Sequence, residues 1–141
     1  MTGTLYTCVW VAIGGALGSV ARFLLAAAVA ALTGPHYPWG TLLINVLGSF
    51  VIGLFNALTA EGERARLFVP TDVRIFVMVG LCGGFTTFSA FSLQTLALMR
   101  DGEMAPALGY ILASVILCLV FVWVGDLIGH APPVFLSSQA R

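Results

Sequence analysis

Four long apolar runs separated by short polar connections dominate the chain, at roughly Cys8 to Leu32, Trp39 to Ala60, Val73 to Met99 and Pro106 to Ile128. Each reaches the ~20 residues a helix needs to cross the hydrocarbon core of a bilayer. The pattern predicts an all-α membrane protein with four transmembrane helices, at approximately 8–32, 39–60, 73–99 and 106–128, forming one domain over residues 1–141. The connections Thr33 to Pro38, Glu61 to Asp72 and Arg100 to Ala105 leave no room for a soluble domain. The first run is too long for a signal-peptide core, lacks a basic flank and contains Arg22, so it is expected to stay in the mature protein.

The third run is not uniform. Gly83 and Gly84 stand in its middle, followed by Phe85, Thr86, Thr87, Phe88, Ser89, Ala90, Phe91 and Ser92. A Gly-Gly pair is a poor helix former, and a helix broken at bilayer depth is tolerated only where protein or a polar cavity satisfies the freed backbone groups. A break in the third helix is therefore expected at this point, with an ion or substrate site beside it. On the second helix Thr41, Asn45, Ser49 and Asn56 fall on one stripe at 100° per residue. Such a stripe either lines a path or supplies hydrogen bonds between helices.

Composition sharpens this picture. The chain is 60% hydrophobic with a mean hydropathy of +1.04, more apolar surface than a soluble domain of 141 residues can hide. Its six arginines, no lysines and six acidic residues sum to zero net charge, and the absence of a basic run removes nucleic acid as an expected partner. Arg64, Arg66, Arg74 and Arg141 outnumber Arg100 across the predicted membrane, which leans the termini toward the cytoplasm. Cys8, Cys82 and Cys118 lack metal-ligand spacing and read as small buried hydrophobes. Neither His36 nor His130 has a companion nucleophile or metal set, so no enzyme is expected.

Arg22 lies past the midpoint of the first run, where an unpaired guanidinium is costly. It reads either as an anchor at a vestibule or as an attractor for anions. Phe85, Phe88 and Phe91 recur every three residues. Phenyl rings have electropositive edges, so rings set among hydroxyls contact a small anion without the charge that would trap it. Tyr110 and Ser114 share one face of the fourth helix. A four-helix unit encloses too little space for a wide aqueous path, so a transporter built from it is expected to be a dimer. Gly14 with Gly18, and Ser49 with Gly53, offer the small-residue spacing for close helix contact.

The segments Trp39–Gly48 and Gly83–Ser92 closely resemble the Fluc/CrcB family of fluoride channels, and Gly15–Arg22 together with Gly109, Tyr110 and Ser114 fit that family's first and fourth helices. The resemblance covers the chain between residues 11 and 130. It implies an antiparallel dual-topology homodimer in the bacterial inner membrane, with two fluoride pores and a central sodium ion that is structural and not transported. In that reading Phe88 and Phe91 match the pore phenylalanines, Asn45 the pore asparagine, and Tyr110 and Ser114 polar positions of the fourth helix. The main-chain carbonyls of Gly83 and Thr86 match the sodium ligands, and Gln94 stands where many family members carry a carboxylate.

The function this implies is passive fluoride export. Fluoride enters as its neutral acid and dissociates inside, and an inside-negative potential worth ~2.3 kcal/mol per charge per 100 mV drives the anion out. A small dimeric multidrug or cation exporter is the rival, but it is expected to need a buried carboxylate, and the first three runs hold none. A non-transporting membrane subunit would account for the packing motifs but not for a mid-membrane break beside a polar stripe.

Overall fold

The computed structural model describes residues 2–60 and 67–131. Among them the regular structure is helical, with four segments long and apolar enough to cross a membrane. Helix α1 covers Thr2–Thr33 and α2 covers Trp39–Thr59. The third span is composite: α3, Thr71–Ile75, runs into a wide π-helical turn, Phe76–Cys82, then the short α4, Gly83–Phe85, and after Thr86 and Thr87 the helix α5, Phe88–Arg100. The fourth is α6, Met104–His130. Glycines at left-handed φ let the chain reverse after α1, at Gly34 (φ 78°), and after α5, at Gly102 (φ 80°).

Contacts between backbones set the arrangement. A Cβ on Gly14 would lie 2.6 Å from the Phe76 carbonyl oxygen and 2.9 Å from the Leu81 nitrogen, and one on Gly18 would collide with the Leu81 carbonyl. The glycines of α1 thus seat the π-helical turn directly against α1. The same device joins α2 to α6, where Gly53 meets Val122 and Gly125 meets Phe50 and Leu54. Residue numbers rise together along that contact, so α2 and α6 run in the same direction. Gly14, Gly18 and Gly53, expected from their spacing to serve the approach of two subunits, are taken up within one protomer.

The interior is small: Leu42, Val46, Phe91, Leu98, Ala107 and Tyr110 form its buried cluster. Much of the remaining apolar surface faces outward, as on Phe23, Leu112 and Leu119, which fits a lipid solvent. Cys8 belongs to this outer face, whereas Cys82 is buried and Cys118 half-buried. The end of α2 is tied down by Arg74, whose guanidinium donates to the Thr59 carbonyl, to the Thr59 hydroxyl at 2.6 Å and to Asn56 Oδ1 at 3.3 Å. A cation at a helix C-terminus satisfies carbonyls that have no helical donor. Arg64, Arg66 and Arg141, on which the orientation expectation largely rests, lie outside the described residues.

Candidate functional site

The interruption of the third span falls at Thr86 and Thr87, not at the glycine pair. Gly83 is helical (φ −64°, ψ −38°), while Thr86 (φ −81°, ψ 160°) and Thr87 (φ −154°, ψ 117°) are extended. The glycines answer a different need, because a Cβ on Gly84 would lie 2.5 Å from the Gly15 carbonyl oxygen. Weak helix propensity was outvoted by helix packing.

Asn45 clasps the extended residues. Its Nδ2 donates to the Thr87 carbonyl at 3.0 Å and its Oδ1 accepts from the Thr87 N–H at 2.8 Å, so a side-chain amide satisfies both backbone groups of one residue. The Thr87 hydroxyl then caps α5 by accepting from the Ala90 N–H at 3.2 Å. Thr87 and Ala90 are the residues whose N–H groups, in a continuous helix, would bond the carbonyls of Gly83 and Thr86. Both donors are turned elsewhere.

Around this break lies a cavity of about 420 Å³ lined by residues of α2, the third span and α6, among them Asn45, Ser49, Thr86, Thr87, Phe88, Phe91 and Ser114. Phe91 is buried and Phe88 is 77% exposed, with ring centroids 5.3 Å apart and planes inclined at 46°. Ser114 is buried, and its hydroxyl has no hydrogen-bond partner among the described residues. Behind Phe91 stands Tyr110, fully buried, with its ring centroid 5.1 Å from that of Phe91 and its hydroxyl donating to Gln94 Oε1 at 3.0 Å. Tyr37, in the connection after α1, stacks edge-on against Tyr110, and burial pushes its phenol above the ordinary value, so it is neutral at physiological pH.

The family model described as CrcB-like protein, Camphor Resistance (CrcB), matches residues 9–126. The chain belongs to this CrcB family. A relative from Methylocella silvestris, named fluoride-specific ion channel FluC, is 57% identical over 122 residues, 86% of this chain and 92% of the relative. Relatives of the same name from Opitutus terrae and Rhodospirillum rubrum are 54% and 51% identical over 129 and 119 residues, covering 92% and 84% of this chain and 93% and 91% of those proteins. It is a multi-pass membrane protein, and these relatives are bacterial.

Within this CrcB chain the residues singled out from the sequence are only partly brought together. Asn45, Ser49, Gly83, Thr86, Phe88, Phe91 and Ser114 line one cavity. Thr41 is buried outside its lining, and Asn56 is exposed at the far end of α2 with Arg74, so the stripe on α2 is not one continuous path. The Ser49 hydroxyl bonds back to the Asn45 carbonyl at 2.7 Å, and those of Ser92 and Thr95 to Phe88 and Phe91, leaving them poorer donors to a ligand. Arg22 is half-buried on α1, away from the cavity lining, and makes no ion pair among the described residues. Asp126, the one carboxylate in the fourth apolar run, lies 3.4 Å from His130 at the end of α6.

Sequence reasoning missed the specific duties of Thr87, which supplies both the backbone partner of Asn45 and the α5 cap. Its signal was present, since Thr is a favoured N-cap residue and a new helix begins at Phe88. It also missed Met78, Cys82 and Cys118 as cavity lining. Apolar side chains on a wholly apolar helix carry no mark of the face they present.

Proposed function

We propose that the chain is a passive, fluoride-selective channel that lets fluoride leave the cytoplasm across the bacterial inner membrane and so lowers its concentration there. The carrying observation is the cavity in which an amide, a buried hydroxyl without a partner among the described residues and two phenyl rings surround a helix break, in a chain whose relatives bear the name fluoride-specific ion channel. Fluoride is costly to dehydrate without replacement donors. Asn45 retains one amide hydrogen after its bond to Thr87, Ser114 retains its hydroxyl hydrogen, and the rings of Phe88 and Phe91 offer positive edges. All of these are neutral, so they favour the anion without holding it.

In this reading two chains pair as an antiparallel dual-topology homodimer, each bringing the exposed Phe88 toward a path completed by both. Thr41 and Tyr110 continue the polar lining behind Phe91, and Arg22 holds a vestibule. A sodium ion, structural and not transported, belongs with the main-chain oxygens of Gly83 and Thr86. Those oxygens suit it, being hard donors whose helical N–H partners, on Thr87 and Ala90, are bonded to Asn45 and to the Thr87 hydroxyl.

The test is fluoride efflux from liposomes containing the purified protein, with chloride as control. Absence of fluoride flux sinks the proposal, and equal chloride flux removes its selectivity. Phe88→Ile and Phe91→Ile keep bulk but remove the ring, and each is expected to cut fluoride flux by more than tenfold while dimer yield changes little; unchanged flux in both would reduce the rings to packing. Exhaustive replacement of sodium by a large organic cation is expected to abolish fluoride flux, whereas full flux in its absence would remove sodium from the account.

A further inference from the structure

Residues 34–38, which join α1 to α2, send one side chain into the interior. Gly34, at φ 78°, turns the chain back, and Pro38 (φ −79°, ψ 51°) closes an inverse γ-turn in which the Trp39 N–H donates to the Tyr37 carbonyl at 2.8 Å. The proline ring presets its own φ, so the backbone of Tyr37 is fixed at the threshold of α2. Tyr37 is half-buried against the cluster that holds Phe91 and Tyr110, while its neighbours His36 and Trp39 stay exposed.

From Tyr37 the aromatic contacts run without a gap to the cavity. Its ring centroid lies 5.8 Å from that of Tyr110, with the planes at 74°; Tyr110 lies 5.1 Å from Phe91 at 51°, and Phe91 lies 5.3 Å from Phe88 at 46°. Tyr110 and Phe91 are 0% and 8% exposed, so each ring has its tilt set by its neighbours. Rings at these separations hold one another through edge-to-face and tilted contacts. Phe88, Phe91 and Tyr110 stand on spans, whereas Tyr37 lies between the first and second spans and outside the cavity lining.

We infer that Tyr37 is a positioning residue for the anion path: its ring backs Tyr110 and, through Tyr110, fixes the inclination of Phe91 at the cavity wall. The inference rests on the channel reading above and extends the machinery to a connection that never meets the ion. A phenyl ring is positive only at its edge, so its use to an anion depends on tilt. Without the Tyr37 ring, space opens behind Tyr110, and Tyr110 and Phe91 share a wider range of tilts. The contact with Tyr110 is made edge-on between rings, which makes the Tyr37 ring and not its hydroxyl the operative part.

The experiment compares Tyr37→Phe, which keeps the ring, with Tyr37→Leu and Tyr37→Met, which keep apolar bulk without it; the flexible Met fills the space if the Leu variant is not recovered. Fluoride efflux from liposomes is normalised to the folded protein incorporated, so lost folding is not counted as lost conduction. Removing the ring is expected to lower efflux by about threefold or more, the scale of one aromatic pair, while Tyr37→Phe stays within about twofold of the unmodified protein. His36→Ala, in the same connection but exposed, is expected to conduct as the unmodified protein does. A second readout does not depend on conduction. Para-fluorophenylalanine at position 91, observed by fluorine NMR in fluoride-free buffer, is expected to shift or broaden with Tyr37→Leu or Tyr37→Met and to stay in place with Tyr37→Phe. Undiminished efflux without the ring, or an equal loss in Tyr37→Phe or His36→Ala, would overturn the inference. Lost efflux with an unmoved fluorine signal would overturn it too, because Tyr37 would then not act through Phe91. Each of these results leaves the channel reading intact, since the unmodified protein is measured alongside; no efflux from the unmodified protein would take down both.

Discussion

Asn45→Asp is expected to abolish fluoride flux, with residual efflux at least a hundredfold below wild type, while Asn45→Ser retains measurable conduction. The carboxamide donates to the Thr87 carbonyl and accepts from the Thr87 N–H, and only an amide does both at once. A carboxylate keeps the acceptor but sets a second oxygen against the Thr87 carbonyl, losing a hydrogen bond and adding repulsion. It also brings a negative charge to a cavity that is proposed to pass anions, where a like charge at close range costs several kcal/mol in low dielectric. Serine loses the clasp without adding charge. The two variants therefore separate backbone support from electrostatics. Efflux assays together with chloride controls read the difference, and an Asp variant conducting as well as wild type would exclude Asn45 from the path.

The second large effect lies on α1, outside the cavity lining. Gly18→Val is expected to prevent assembly, with little or no folded protein recovered from membranes, because a Cβ there collides with the Leu81 carbonyl and presses on the Phe85 nitrogen at 2.8 Å. These obstacles are backbone atoms that cannot rotate away, so the cost exceeds the roughly 1–3 kcal/mol typical of overpacked side chains. Gly15→Ala is the matched control. A Cβ on Gly15 meets nothing within 4 Å, and this variant is expected to be recovered at close to the wild-type level. Size-exclusion chromatography and thermal stability in detergent measure both, and normal recovery of Gly18→Val would mean that α1 does not lie as close to the third span as described.

The four spans were legible in the sequence because a bilayer imposes a length and a composition that apolar runs such as Trp39–Thr59 satisfy openly. The polar positions inside those runs were legible too, since Asn45 and Ser114 are conspicuous against so apolar a background. What could not be read was which neighbour each would meet. Asn45 bonds a residue 42 positions away, and nothing local to Val46 or Leu47 foretells it. Ser49 and Asn56 looked like members of the same stripe until packing turned one onto its own helix and the other toward Arg74.

The glycine pair gives the clearest division. By itself, Gly83-Gly84 announced that something unusual happens in the middle of the third span, and backbone propensity suggested that the helix ends there. Tertiary structure decided otherwise, because α1 approaches so closely that position 84 has no room for a side chain, and a glycine held between two helices stays helical. The extended residues fall at Thr86 and Thr87, where Asn45 from α2 supplies the hydrogen bonds that a helix would have supplied. The sequence alone determined that the chain lives in lipid, crosses it four times and carries a polar interruption at depth, since these follow from transfer energies that act residue by residue. The site of the interruption, the clasp of Asn45 on Thr87 and the burial of the Ser114 hydroxyl were decided only when the helices came together, because each depends on groups supplied from elsewhere in the chain.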